Sequence, residues 1–200
     1  MAKNGIDIIT MNVRGLRSTE KRQKTFEWIN QHKYKIICVQ ESHSSVDIEK
    51  KWKSEFGGDI IFAHGKSNAL GVMIMFKSNL HITMHKVTTD PNGRFVIIDM
   101  TLEEKRLTLC NVYGPNNDDS AFFENLYEQI ENITNDNRII VGDFNHILNP
   151  LLDKKGGRLD HANVKARSAT QQYIEECDMV DIYRTKYPKK KVFYISHSPS

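Results

Sequence analysis

The sequence has 200 residues, of which 39% are hydrophobic and 26% are charged, and its formal net charge is +3 at pH 7. This length and composition predict a single globular domain over residues 1–200, with enough chain to bury a core, and argue against a second domain. The charge permits a nucleic acid partner without requiring one, because dedicated backbone binders carry a denser basic face.

Signals for secretion and for membrane insertion are absent from the sequence. No apolar run approaches the ~18 residues of a membrane-spanning helix, and residues 1–7 lack the apolar stretch of a secretory signal. The cysteines Cys38, Cys110 and Cys177 are odd in number and far apart, which supports neither a disulfide framework nor a zinc site. We therefore expect a protein that is not secreted and has no membrane partner.

Short apolar runs of strand length recur along the chain. They are Ile6–Val13, Lys35–Gln40, Asp59–His64, Gly71–Phe76, Arg94–Leu102, Arg106–Val112 and Arg138–Val141. The run Gly71–Phe76 has no polar face, which predicts a strand covered on both sides. The turn residues Asp90–Gly93 ahead of Arg94–Leu102 predict a hairpin.

Three segments have the periodicity of amphipathic helices. They are Ser18–His32, Asp119–Ile133 and Asn163–Cys177, and Asp119 or Ser120 is placed to cap the second of them. Helices interspersed with single strands and with hairpins predict an α/β fold. We interpret it as a four-layer sandwich in which two mixed sheets are flanked by helices.

Four of the predicted strands end in polar or glycine-rich residues. In layered α/β folds such side chains lie at the carboxyl ends of strands, in the crevice where ligands bind. The segments are Met11–Gly15, Gln40–Glu41, Asn111–Pro115 and Gly142–Asn145. The candidate site residues among them are one Glu, one Asp, one Tyr and the two amides Asn12 and Asn145.

These side chains suit the hydrolysis of a phosphodiester, which requires charge neutralisation, an oriented water and a stabilised leaving oxygen. Mg²⁺ is typically held by one or two carboxylates together with waters and substrate phosphate. Glu41, with Asn12 beside it, is the candidate metal ligand. Asp143 is the candidate for orienting or deprotonating the water. Asn145 and the Tyr113 hydroxyl are candidate donors to phosphate oxygens.

Each of these residues also has a purely structural interpretation. Asp143 can cap a turn, Glu41 can be a solvated strand end and Asn12 can be a turn residue. Tyr113 can be a packing residue. The occurrence of four such strand ends in one chain, in this order, favours a site.

The order of these motifs resembles the endonuclease/exonuclease/phosphatase superfamily over essentially the whole chain. The residues that carry the resemblance are Asn12, Gln40-Glu41, Tyr113-Gly114-Pro115 and Gly142-Asp143-Phe144-Asn145. Their surroundings look like the LINE-1-type endonuclease domain of non-LTR retrotransposons, namely Met11–Leu16, Val39–His43, Asn111–Asn116 and Asn145–Pro150 followed by Asp153 and Gly156-Gly157. An apurinic endonuclease usually has Lys soon after its Gln-Glu-Thr, where this sequence has His43.

This resemblance implies a Mg²⁺-dependent DNA endonuclease, with Mn²⁺ as a possible substitute. Glu41 would bind the metal with the support of Asn12. Asp143 and Asn145 would position water and phosphate, and Tyr113 would contact the scissile phosphate. The implied partners are DNA and a reverse transcriptase domain of the same polyprotein, which the nick would prime. We expect a monomer that acts in the nucleus, the cytoplasm or both.

The resemblance also implies a further segment, because the family continues past the position of Ser200 with a Ser-Arg-Ile-Asp-Tyr-like strand and a Ser-Asp-His ending. We therefore expect the sheets of this chain to lack their last strands, and the 200-residue chain alone to be inactive or nearly so. Robust Mg²⁺-dependent nicking that Asp143→Ala abolishes would refute this expectation. His197 lies at the wrong chain position to replace the family His, and Phe193 stands where many relatives have Thr.

Arg14 and the run Lys189–Lys191 are the candidate DNA contacts. No acidic residue lies between Arg184 and Ser200, so this stretch is either a phosphate-tracking arm or a solvated loop. Two other functions stay open: another superfamily phosphodiesterase, such as an apurinic endonuclease or a phospholipid or phosphoinositide hydrolase, and a catalytically dead nucleic-acid-binding remnant.

Overall fold

The computed structural model describes residues 5–66, 69–153 and 163–190. They divide into two compact units. The first unit runs to Tyr113 and includes Ile130–Asp143, and the second consists of Gly114–Gln129 and the described residues from Phe144 onward. In this part of the chain, no helix combines the length and the apolarity needed to cross a membrane.

The first unit holds the strands, which form two four-stranded sheets. The strands are β1 (Ile8–Asn12), β2 (Ile36–Gln40), β3 (Gly58–Ala63), β4 (Val72–Lys77), β5 (Ile82–Thr89), β6 (Phe95–Leu102), β7 (Lys105–Tyr113) and β8 (Arg138–Asp143). The first sheet has the order β1-β2-β4-β3 and the second has the order β5-β6-β7-β8. Both are mixed, because β1–β2 and β7–β8 pair in parallel and the other pairs are antiparallel. The expected α/β sandwich with two mixed sheets is confirmed.

The described α-helices include the three that the sequence predicts. They are α1 (Thr19–Gln31), α2 (Glu49–Phe56), α3 (Ser120–Glu131), α4 (Pro150–Asp153), α5 (Val164–Glu176) and α6 (Ile182–Lys186). The Ser18 hydroxyl caps α1 by accepting from the Lys21 amide, and Asp119 Oδ1 accepts from the Phe122 amide at the start of α3. These caps satisfy amides that have no partner within the helix. The strand β5 and the helices α2, α4 and α6 were not predicted.

Strand β4 shows why the first sheet has an apolar core on both faces. Met73 and Met75 pack with residues of α1 and α2, whereas Ile74 and Phe76 point to the opposite face and pack with residues of the second sheet. Side chains alternate between the faces of a strand, so a strand covered on both sides must be apolar throughout. The prediction made for Gly71–Phe76 is confirmed.

The second unit is held together by aromatic contacts between α3 and α5. The rings of Tyr127 and Tyr173 stack with their centroids 4.0 Å apart, and the Tyr127 hydroxyl donates to Thr170 Oγ1 at 2.8 Å. Asp118 Oδ1 accepts from the Ala166 amide at 2.8 Å, near the start of α5. Offset-stacked aromatic pairs add stability beyond the area that they bury.

Candidate active site

Two parallel strand pairs, one in each sheet, bring the candidate residues to their carboxyl ends. In the first sheet, Asn12 is in register with Gln40, so Glu41 follows directly. In the second sheet, Tyr113 is in register with Asp143. The sequence therefore places two polar side chains at the same end of each pair.

The four side chains form one hydrogen-bonded cluster. Asn12 Nδ2 donates to Glu41 Oε1 at 2.7 Å and to Asp143 Oδ2 at 3.1 Å. The Tyr113 hydroxyl donates to the same Glu41 oxygen at 2.9 Å. One amide thus bridges two carboxylates that come from different sheets.

The backbone around Glu41 adopts an unusual conformation. Glu41 and His43 both have φ of 53°, and Arg14 has φ of 48°. Gly15, with φ of 84°, approaches His43 so closely that a Cβ there would lie 2.6 Å from the imidazole Nδ1. Left-handed conformations in residues with side chains cluster at functional sites, where the surrounding structure enforces them. The positive φ angles of Arg14, Glu41 and His43 therefore indicate that the turns beside Glu41 are conformationally constrained.

His43 is the basic side chain beside Glu41, with its Nε2 atom 3.9 Å from Glu41 Oε2. Burial lowers the pKa of His43, an effect that the Glu41 carboxylate opposes and that Arg17 and Lys21 reinforce. These effects favour the neutral imidazole, which leaves the negative charge of Glu41 available to a cation.

A buried amide network lies behind the cluster. Gln40 Nε2 donates to Asn111 Oδ1 at 2.5 Å and to Thr10 Oγ1 at 2.9 Å. Asn111 Nδ2 donates to the carbonyls of Val39 and Met73, each at 3.0 Å. Asn111 is fully buried and belongs to the second sheet, whereas its partners belong to the first. The network ties the sheets together one or two residues away from Glu41 and Tyr113.

Arg94 is a site-adjacent residue that the sequence analysis missed. Its guanidinium carbon lies 5.6 Å from the centroid of the Tyr113 ring, and its Nη1 donates to the Tyr113 carbonyl at 3.3 Å. The feature of the sequence that could have pointed to Arg94 is its position directly after the Asp90–Gly93 turn. A cation over an aromatic face is attracted by the ring, so Arg94 helps to hold Tyr113 in place.

Asn145 lies in the second unit, and its assigned role stays a prediction. Its Nδ2 donates to the Gly114 carbonyl at 2.8 Å, and its own carbonyl accepts from Asn163 Nδ2 at 2.9 Å. Its φ of 54° is again left-handed. The neighbouring His146 packs edge-on against Phe123, and burial lowers the pKa of His146 to about 4.

The candidate DNA contacts are exposed where the structure describes them. The side chain of Arg14 is at the surface, and the Arg14 amide donates to Asn12 Oδ1 at 3.1 Å. Lys189 and Lys190 are also exposed, and Lys190 Nζ lies 5.0 Å from the centroid of the Tyr187 ring. Lys191 lies outside the described residues. The DNA-binding roles stay predictions.

Three further sequence features also fall outside the described residues. They are Gly156-Gly157, Phe193 and His197.

The donor set fits a hard divalent cation. In the described ranges, no group of three or more His, Cys, Asp or Glu side chains is arranged to hold a metal ion. Mg²⁺ does not require such a group, because it keeps several waters and takes one or two protein carboxylates. Glu41, which Asn12 and Tyr113 hold in place, offers such a carboxylate. Asp143 lies across the shared amide, where its carboxylate can orient a water.

A carboxylate held by an amide and a tyrosine hydroxyl, with a second carboxylate across the amide, supplies groups that metal-dependent hydrolysis of a phosphodiester requires. Residues 9–176 match the Endonuclease/Exonuclease/phosphatase family, and the chain belongs to that family, whose members are metal-dependent phosphodiesterases and nucleases. The predicted family membership is confirmed.

The chain is similar in sequence to a transposon protein and in fold to two endonucleases. The chain is 25% identical over 191 residues to the Transposon TX1 uncharacterized 149 kDa protein of Xenopus laevis. The aligned region covers 94% of this chain but only 14% of that protein's length. The fold matches an AP endonuclease from Archaeoglobus fulgidus with a TM-score of 0.75, at 19% identity over 96% of this chain and 79% of that one. It also matches the endonuclease domain of TRAS1, a telomere-specific non-LTR retrotransposon, with a TM-score of 0.59, at 11% identity over 84% of this chain and 71% of that one.

Proposed function

We propose that this chain is the Mg²⁺-dependent DNA endonuclease domain of a LINE-type retrotransposon, which nicks target DNA so that a reverse transcriptase domain of the same polyprotein can extend the free 3′ end. The observation that carries the proposal is the cluster of Glu41, Asn12, Asp143 and Tyr113. The similarity to a transposon protein supports the choice of DNA as substrate. Chromosomal DNA as substrate would place the protein in the nucleus for part of its life.

In this proposal each side chain has a distinct task. Glu41 holds the cation, and Asn12 fixes the distance between the two carboxylates. Tyr113 orients Glu41 and also contacts the scissile phosphate. Asp143 orients the attacking water and accepts its proton. When bound, the cation neutralises the phosphate and stabilises the leaving oxygen.

Metal binding tests the proposal without depending on turnover. We expect one saturable Mn²⁺ site, measured by the loss of the electron paramagnetic resonance signal of free Mn²⁺, which Mg²⁺ displaces. Glu41→Gln should weaken it by more than the ~10- to 100-fold that loss of an outer-shell partner costs. Glu104 is an exposed glutamate in the turn between β6 and β7, so Glu104→Gln is the matched control and should bind Mn²⁺ as tightly as the parent does. Equal binding by both variants would contradict the proposed metal site.

The reaction is tested on supercoiled plasmid DNA. Any nicking must require Mg²⁺ or Mn²⁺ and must disappear in Glu41→Gln, whereas Asp143→Asn should keep the metal and lose about 10²- to 10⁴-fold in rate. Cleavage that survives Glu41→Gln would refute the assignment. Release of phosphate from a lipid headgroup without DNA cleavage would indicate a lipid hydrolase instead. Metal-independent DNA binding without cleavage would indicate a binding remnant.

A further inference from the structure

A chain of hydrogen bonds leads away from the turn that carries Glu41. Ser42 Oγ and Ser44 Oγ are 3.0 Å apart, and Ser44 Oγ lies 2.9 Å from His64 Nδ1. His64 Nε2 lies 2.8 Å from Glu49 Oε1. These four side chains, Ser42, Ser44, His64 and Glu49, are termed the serine–histidine chain.

The serine–histidine chain is buried, so water cannot readily replace its hydrogen bonds. Ser42 and Ser44 are 0% and 2% exposed, so their hydroxyls must find partners within the protein. A carboxylate oxygen accepts, so His64 Nε2 donates to Glu49, and in the tautomer that carries its proton on Nε2 the Nδ1 atom accepts from the Ser44 hydroxyl. Ser44 Oγ then accepts from Ser42. The ring of His64 also stacks on Phe62 with centroids 5.3 Å apart, which fixes its orientation.

The serine–histidine chain ends at Ser42, within the turn that carries Glu41. Ser42 lies between Glu41 and His43, both of which have φ of 53°. The Ser42 and His43 amides donate to the carbonyls of Gly71 and Leu70 at 2.8 and 2.9 Å. Such a backbone persists only where its surroundings over-determine it. The backbone hydrogen bonds restrain one side of the turn, and the serine–histidine chain restrains its side chains.

We propose that His64 and Glu49 are positioning residues of the metal site: through Ser44 and Ser42 they hold the turn that aims the Glu41 carboxylate at the cation. Neither residue was singled out by the sequence analysis. The inference rests on the proposed function, because it gives this turn a role in binding a cation. Outer-shell partners that orient a ligand typically contribute about 10- to 100-fold to metal affinity.

Two substitutions of His64 separate the bonds on either side of its ring. In His64→Asn the short amide can still accept from Ser44 but does not reach Glu49, whereas His64→Gln reaches Glu49 and leaves Ser44 without its acceptor. We expect His64→Gln to weaken Mn²⁺ binding about 10-fold and His64→Asn to restore most of that loss. His85→Gln, which alters an exposed histidine bonded to Thr101 in the second sheet, is the control and should leave Mn²⁺ affinity unchanged.

A second readout separates this inference from the proposed function. Hydrogen exchange of the Ser42 and His43 amides should accelerate in His64→Gln and not in His64→Asn or His85→Gln. The inference is overturned if His64→Gln binds Mn²⁺ as tightly as the parent, or if metal affinity falls in all three variants in proportion to their melting temperatures. If the parent itself shows no Mn²⁺ site, the proposed function fails, and the exchange rates alone decide whether the chain holds the turn: unchanged rates in His64→Gln overturn it.

Discussion

Replacing Asn111 with leucine tests whether the buried amide network holds the two sheets together behind the site. The substitution keeps a side chain of similar volume but removes the Nδ2 group that donates to Val39 and Met73. It also removes the oxygen that accepts from Gln40. Gln40 keeps Thr10 as an acceptor at 2.9 Å, so the cost falls mainly on the two carbonyls.

The expected loss of stability follows from these hydrogen bonds. A buried polar group that loses its partner costs about 1–3 kcal/mol. For the two carbonyls the free energy of unfolding should fall by about 3 kcal/mol, near the lower end of the summed range, because leucine fills the space that asparagine leaves. For a protein of this size that corresponds to a melting temperature lower by roughly 6–12 °C.

Urea unfolding followed by circular dichroism measures the difference. Asn137→Leu is the matched control, because Asn137 is exposed and its side chain makes a single described donation, to the Arg106 carbonyl; we expect it to cost less than about 1 kcal/mol. If Asn111→Leu is no more destabilising than Asn137→Leu, the network does not join the sheets in the way inferred here.

Three further results are expected. Glu55→Gln should lower the free energy of unfolding by about 3 kcal/mol, because it leaves the buried Arg22 guanidinium without its carboxylate. Since Arg22 lowers the pKa of Glu55, this stabilisation is present above the unfolded-state pKa of about 4.3 and is lost as the pH falls through the folded-state value. The urea unfolding curves of parent and variant should therefore converge in acid. Reversing the charges of Lys189–Lys191 should reduce the slope of log affinity for DNA against log salt by about 0.9 for each phosphate that these lysines no longer neutralise, and an unchanged slope would favour a solvated loop. Arg94→Ala should lower the free energy of unfolding by about 1 kcal/mol, because the Tyr113 ring would no longer have a cation over its face, and an unaltered urea midpoint would contradict that role.

The sequence predicts the apolar parts of the fold better than the polar edges. Strand β4 has no polar residue before Lys77 and was predicted within one residue of its observed bounds. Strand β5 was missed because its alternation of half-buried and exposed residues breaks at a register shift between Met84 and Lys86, after which Val87 is exposed and Thr88 half-buried. Helix α2 was missed although Trp52 and Phe56 lie four residues apart and Gly57 ends it in the left-handed conformation, which is a recognisable helix stop.

The candidate site could be predicted from strand ends, but its supporting contacts could not. Asn12, Glu41, Tyr113 and Asp143 each follow or end an apolar run, and parallel pairing brings such ends together. Asn111 and His64 contribute through contacts with residues that are distant in sequence, and their local patterns are those of ordinary strand residues. The packing of the two sheets determines the partners of Asn111, whereas the segment after β2 and helix α2 supply the partners of His64.

The bond between Asn12 and Asp143 joins residues that are 131 positions apart. Contacts of such long sequence separation form late, because the entropy of closing the intervening chain is lost before the contact stabilises the fold. The cation site is therefore complete only after β8 has joined the second sheet. During refolding, Mn²⁺ binding should recover after the far-ultraviolet signal of the early secondary structure, and it would report on the final step of assembly.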